Sequence, residues 1–300
     1  MKKITFLFYF SLLMAPDAFT QKKDFGGKNW DFYRHEFELG IGVSNYLGEL
    51  GGKETKSKFL SPKDIEYRTF KLAYDFAYRY NFGSWFAIRP SLFFGKVAGN
   101  DQFTTNSDRN YRNLQFHSRI TELAVVGELH IIRAQRGHSF YHAGVIGTPG
   151  SPFGVSLHMG IGYFWFNPKR GNVNLRDLST EGQGLPGGPV AYKKTAISAP
   201  VGMTICYQIN KEFRLGATLS ARYTNTDYLD DASTVYYDKE ALRTAKGDLA
   251  AELSDKSDQS DPGKTSTGAA RGNPKNNDFY YSAMLYLTYT PSIISTGSGR

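Results

Sequence analysis

"FRLGATLSARYTNTDYLDD", residues 213–231, alternates strictly along its first half and then stops in a cluster of acids. Phe213, Leu215, Ala217, Leu219, Ala221 and Tyr223 fall on one face of an extended chain, and Arg214, Gly216, Thr218, Ser220 and Arg222 fall on the other. A period of two residues is the signature of a strand whose faces meet different surroundings. The same pattern recurs along the chain, in segments at about 34–47, 67–81, 84–98, 114–133, 153–166, 191–209, 213–228 and 278–290. The reading is all-β, and an even number of strands is what a closed antiparallel up-and-down barrel in a membrane requires.

Which face meets which solvent is decided by the second segment. Phe70, Leu72, Tyr74, Phe76, Tyr78 and Tyr80 point one way, and Lys71, Ala73, Asp75, Ala77 and Arg79 the other. In a soluble sandwich the apolar face would turn inward. Here that face is long and bounded by aromatics, as for a lipid-facing band with aromatic girdles. The opposite faces mix small residues with charges of both signs: Glu38, Lys71, Asp75, Arg79, Arg89, Glu122, Glu128, Arg214 and Arg222. Such a set can form an ion-pair network filling the lumen of an eight-stranded barrel, which is only wide enough for side chains. Phe76 and Leu219 are therefore expected toward lipid, and Arg79 and Arg222 toward the lumen.

The N-terminus points to the same compartment. Lys2 and Lys3 precede the apolar run "ITFLFYFSLLMA" (4–15), too short to span a bilayer as a helix, and small or polar residues follow. Residues 1–20 read as a signal peptide and 21–33 as a lead. The barrel occupies 34–291 with a long final loop at about 229–277, and 292–300 is a tail. Aromatics at 15% and 31 glycines suit many strands. The net charge of +8 is scattered with no basic run, which argues against nucleic acid. Cys206 alone supports neither a disulfide framework nor a cysteine zinc site, and mid-strand it reads as a small apolar residue.

Loop lengths orient the barrel. Links two to three and six to seven are tight, whereas links one to two, three to four, five to six and seven to eight are long, so the termini and tight turns are expected on the periplasmic side. The fourth link, "AQRGHSFYHAGVIGTPGSP", departs from this alternation: either strand five extends upstream through "SFYHAGVIG" or the link is a periplasmic excursion. In the last loop Leu242, Leu249 and Leu253 share a helical face, followed by a polar stretch, Ser254 to Gly268, expected to be mobile.

Catalytic, cofactor and metal sites are not expected. His35, His117, His130, His138, His142 and His158 are available to a triad, but no G-x-S-x-G elbow and no H-E-x-x-H pair occurs. His158, on an inward face, reads as a lumen hydrogen-bonding residue. Asp227, Asp230 and Asp231 mark where strand seven leaves hydrocarbon, with Tyr228 as an interfacial anchor. Asp230 or Asp231 is expected to clamp the loop base with Arg271 and the Asn273 to Asn277 amides; the alternative is a solvated strand end.

"FELGIGVSNYLGELGG" (37–52), "GIGYFWFNPKRG" (160–171), "TDYLDD" (226–231) and "RGNPKNNDFYYSAMLYLTY" (271–289) resemble, in this order, the PorG family, outer-membrane barrels of the Bacteroidota type IX secretion system related to small OmpA-like barrels. The resemblance implies an accessory role in protein secretion and, in many Bacteroidota, gliding motility. It also implies partners: outer-membrane lipid, and a periplasmic ring of PorK-like lipoprotein and PorN-like protein tethered under the membrane. The other readings are a stand-alone envelope scaffold or adhesin, and a barrel enzyme acting on lipid acyl chains.

Overall fold

The computed structural model describes residues 34–48, 50, 67–83, 85–104, 106–134, 151–210 and 212–291. The stretches expected to be signal peptide and tail, and most of the fourth link, lie outside them. Eight long strands follow the alternating segments: β1 (His35–Leu47), β2 (Lys71–Asn81), β3 (Phe86–Asn100), β4 (Gln115–Ile132), β5 (Phe153–Arg170), β6 (Thr195–Gln208), β7 (Phe213–Thr224) and β8 (Phe279–Tyr289). Each pairs antiparallel with its sequence neighbour, β5 also carries the two-residue strand Val173–Asn174, and β8 pairs with β1. The sheet is thus a closed eight-stranded antiparallel barrel without a free edge among its long strands.

The apolar face is on the outside. Leu219 is 62% exposed while Arg222, three residues on, is 5% exposed. On β2, Leu72, Tyr74 and Phe76 are exposed, and Ala73, Asp75 and Arg79 are buried. A wall of exposed Leu, Ile and Phe around buried arginines and glutamates is the inverse of a water-soluble barrel and the arrangement hydrocarbon demands. No described helix is long and apolar enough to cross a membrane, which says nothing of crossing by strands.

At one end, hereafter the terminal end, lie the start of β1, the end of β8 and the tight connections 82–85 and 209–212. The connections 101–114, 171–194 and 225–278 gather at the opposite, loop end. There they fold into a cap with α1 (Ser107–Arg112), α2 (Leu175–Leu178), α3 (Lys239–Lys246) and α4 (Asp248–Ser254). Phe93, Phe164, Phe166, Leu229, Leu242 and Tyr280 belong to one buried cluster or pack at full burial beneath the cap. Gly40 has a packing role: a Cβ there would lie 2.6 Å from the Tyr286 ring, so only glycine leaves room for that ring in the lumen.

Several boundaries differ from the alternation. A 3₁₀ turn at Tyr67–Thr69 precedes β2, and β6 begins at Thr195, after Phe166 N–H has bonded the Lys194 carbonyl. β7 ends at Thr224, where the Thr224 hydroxyl donates to the Asp278 carbonyl at 2.7 Å, with the Thr226 carbonyl 3.0 Å away, and diverts the chain into the cap. The expected helix is two helices: Gly247, at φ +90°, breaks it, and Leu249 turns outward at 45% exposure while Leu242 and Leu253 stay buried.

Candidate functional site

The lumen and its cap are the two places where this chain concentrates chemistry. Arg79, from β2, stands in the middle of an acidic cage: its Nη1 lies 2.7 Å from both Glu36 and Glu38 on β1, and its Nε lies 2.6 Å from Glu128 on β4. Arg89 shares these acids, with Nε 2.7 Å from Glu128 and Nη1 3.4 Å from Asp75. Arg214 pairs with Glu36. One layer toward the cap, Arg222 Nε lies 2.9 Å from Glu122, whose other oxygen accepts from Ser198 at 2.7 Å and Tyr280 at 2.5 Å. The Arg222 guanidinium also sits 4.4 Å from the centre of the Phe93 ring. Tyr286 donates to Asp75 at 2.5 Å, and His158 meets Ser220 at 3.1 Å.

Charges buried this deeply are tolerated only when paired and hydrogen-bonded. The strand period supplies the pairs, because inward residues on neighbouring strands fall at the same level. Eight of the nine charges read from the alternation meet in this network; Lys71, half-buried where β2 begins, makes no ion pair among the described residues. Glu36 is the member that the alternation did not single out, although it shares the parity of Glu38. At the terminal end an opening beside Glu36, Arg79, Arg133, His130 and Cys206 offers about 20 Å³ of room for water, enough for about one molecule.

The cap is held by a second polar network. Arg271 Nη1 donates to Glu181 Oε1 at 3.0 Å and to the Asp231 backbone oxygen at 2.5 Å, and its Nε donates to the Ser254 carbonyl. Glu181 in turn accepts from the backbone N–H groups of Ser233 and Thr234. The Asp231 carboxylate accepts from Tyr192 at 2.6 Å and Thr180 at 2.5 Å, and the residue sits at φ +67°. Arg112, on α1, donates to the Arg271 carbonyl while bridging Asp101 at 2.8 Å. The loop base is thus tied to two other loops. Arg271 meets Asp231 through the main chain, and its carboxylate partner is Glu181, which no local pattern in the sequence marks.

Asp230 faces elsewhere. The Tyr46 hydroxyl lies 2.6 Å from both Asp230 and Asp278. One hydroxyl carries one proton, so Tyr46 donates to one carboxyl and accepts from the other, which must itself be protonated. Burial, and then the neighbouring Asp230, push Asp278 well above the usual carboxylate range. Burial also raises Asp231 to about 6 against the opposing pull of Arg271.

Tyr228 corrects an expectation. It stacks on Tyr192, with centroids 4.5 Å apart, and packs against the buried cluster instead of anchoring at the lipid surface. The segment at Asn273 folds on itself, with Asn276 N–H on the Asn273 carbonyl. The stretch expected to be mobile, Ser254 to Gly268, lies against α1 through Lys264 with Asp108 and Asp261 N–H with the Tyr111 hydroxyl. Among the described residues no group of His, Cys, Asp or Glu is arranged to hold a metal.

A domain family of unknown function, DUF6089, matches residues 29–250. The chain belongs to the DUF6089 family. No protein of curated function matches this DUF6089 chain by sequence. Among solved structures it is similar to Neisserial surface protein A, at 6% identity and TM-score 0.39 over 86% of this chain and 97% of that one. It is also similar to the attachment invasion locus protein Ail of Yersinia pestis, at 8% identity and TM-score 0.35 over 85% and 98%. The N-terminal β-barrel domain of Pseudomonas aeruginosa OprF aligns at 7% identity and TM-score 0.34 over 85% and 97%.

Proposed function

We propose that this DUF6089 barrel is a non-catalytic accessory component of the type IX protein secretion machinery, sited in the outer membrane with its termini periplasmic. In this role it tethers a periplasmic ring of PorK-like and PorN-like proteins. The observation that carries the reading is the filled lumen: Arg79, Arg89 and Arg222 with their carboxylates occupy the barrel and the cap covers its loop end, so such a barrel acts by what it holds in place. The link to that machinery rests on the resemblance of residues 37–52, 160–171, 226–231 and 271–289 to PorG. Three of these segments supply Tyr46, Asp230, Asp231 and Arg271 to the cap. In this reading the ring docks at the terminal end, beside the tight turns 82–85 and 209–212.

Affinity purification of the tagged full chain from native outer membranes tests it. Ring proteins should accompany the barrel at fixed stoichiometry. A barrel that purifies alone points instead to a stand-alone envelope scaffold or adhesin presenting its cap, and release of acyl chains from outer-membrane lipid would overturn the non-catalytic assignment.

A further inference from the structure

The lumen pairs its charges apart from Lys71, yet four basic side chains stand together on the outer wall with no acid paired to them among the described residues. On β3, β4 and β5 the outward rows run from apolar to basic toward the loop end. Leu92, Leu123 and Tyr163 share one level, and Phe94, Thr121 and Trp165 the next. Above these come Lys96, Arg119 and Asn167, then Ala98, His117 and Lys169. Arg119 is exposed, and Lys96, His117 and Lys169 are half-buried. Lys96 faces Arg119 across one strand pair and His117 faces Lys169 across the next, one level apart, so the four form one patch, which Lys71 at the start of β2 also approaches. None is ion-paired among the described residues.

Lys96 lies directly opposite Arg119 in the β3–β4 register. Like charges facing each other across a strand pair are destabilising unless an anion lies between them. The patch is one-sided: exposed Lys193, opposite Asn167 just before β6 begins, continues it, while at the same end the outward positions Val43, Tyr223 and Phe279 of β1, β7 and β8 are uncharged. Simple snorkelling of basic residues at a membrane boundary would have no reason to select one side of the barrel.

We infer that Lys96, Arg119, Lys169 and His117 form a docking site for the phosphorylated headgroup of an outer-leaflet glycolipid of the lipid A type, whose acyl chains lie along Phe94, Trp165 and Tyr163. Guanidinium and ammonium groups are the side chains that bind phosphate best. Height selects the glycolipid. The upper basic row stands two levels above Trp165, about 10 Å once strand tilt is allowed for, whereas a phospholipid headgroup layer is only about 5–8 Å deep. This site rests on the barrel being embedded with its loop end outermost, and is independent of any role in secretion.

The test is a titration of the full-length barrel, folded in detergent micelles, with purified lipid A, enzymatically dephosphorylated lipid A, phosphatidylglycerol and inorganic phosphate. Lipid A should bind at least ten-fold more tightly than the other three. A variant combining K96Q, R119Q and K169Q should lose at least ten-fold of that affinity while keeping its heat-modifiable gel shift; the single R119Q variant should lose part of it. Equal binding of dephosphorylated lipid A, or of the triple variant, overturns the site, and equal binding of phosphatidylglycerol overturns the assignment to the outer leaflet. The dephosphorylated arm uses the unmodified chain and decides the matter even if the triple variant does not fold. Failure of the unmodified chain to show a heat-modifiable shift or to enter lipid would instead overturn the membrane-embedded barrel itself.

Discussion

Arg271 lies 3.0 Å from Glu181, a residue 90 positions earlier in the chain, and both are buried. The pair joins the base of the longest loop to the β5–β6 connection. Removing one member strands the other's charge out of water, so Arg271→Met or Glu181→Gln should each cost the cap about 3–5 kcal/mol. The barrel itself should survive. Limited proteolysis should open residues 225–278 in either variant while the heat-modifiable band is retained, and a cap as resistant as that of the unmodified chain would show that the pair contributes little.

The cap should loosen as pH rises. Folding raises the Asp231 carboxyl from 3.8 to about 6, chiefly by burial, so the folded state binds this proton more tightly than the unfolded one. The stabilisation is complete below about pH 4, declines as pH rises through 6 and is level above, a difference of about 3 kcal/mol at 1.36 kcal/mol per unit. The raised Asp278 carboxyl acts in the same direction. Hydrogen exchange at Ala232 and Ser233, corrected for the intrinsic pH dependence, should show stronger protection at pH 4.5 than at pH 7.5. Asp231→Asn should flatten most of that slope.

Arg79 is the cation shared by Glu36, Glu38 and Glu128. Arg79→Met leaves more acids uncompensated than Arg222→Met, whose deletion exposes mainly Glu122. Both should destabilise, Arg79→Met by about 3–5 kcal/mol or more and Arg222→Met by less. Urea midpoints of the barrel refolded into vesicles rank the two, and the reverse order would show that the cage is not the main lumen support.

On the outer wall the sign of the effect inverts. Phe76→Arg or Leu219→Arg places a charge in hydrocarbon and should cost about 2–4 kcal/mol near the midplane. Cysteines introduced at these positions should resist membrane-impermeant reagents, and rapid labelling at either would contradict a lipid-facing assignment.

Gly40→Val tests packing with no change of charge. The new side chain would occupy the space of the Tyr286 ring, forcing that tyrosine off its 2.5 Å bond to Asp75. The loss should exceed that of Tyr286→Phe, which removes the hydroxyl and keeps the ring. Equal effects would mean that the ring finds another place.

The barrel was legible because each strand separates two surroundings, and a two-residue period writes that separation into the chain. Arg79, Arg89, Glu122, Glu128 and Arg222 could be placed from parity alone. The cap has no such period. Glu181 finds Arg271 and the Ser233 and Thr234 amides through folding of three loops, and nothing local at "STEGQG" announces it. Tyr228 shows the limit of parity: it follows a lipid-facing run, but β7 has ended at Thr224, and past that point its ring goes where Tyr192 offers a flat partner. Leu249 fails for a similar reason, since the helical period on which its face was assigned is broken at Gly247.

The pairing of β1 with β8 has a consequence for how the molecule is made. Glu38 receives its bond from Thr288, 250 residues later, so the seam of the barrel is the most distant contact in sequence that the fold can form. Until the last strand arrives, β1 and β7 present unpaired backbone groups, which hydrocarbon does not tolerate and which invite pairing with other chains. Contacts of such sequence separation form late and slowly. The chain must therefore be held open and soluble until β8 is delivered, and closure of that seam is the step that completes the barrel.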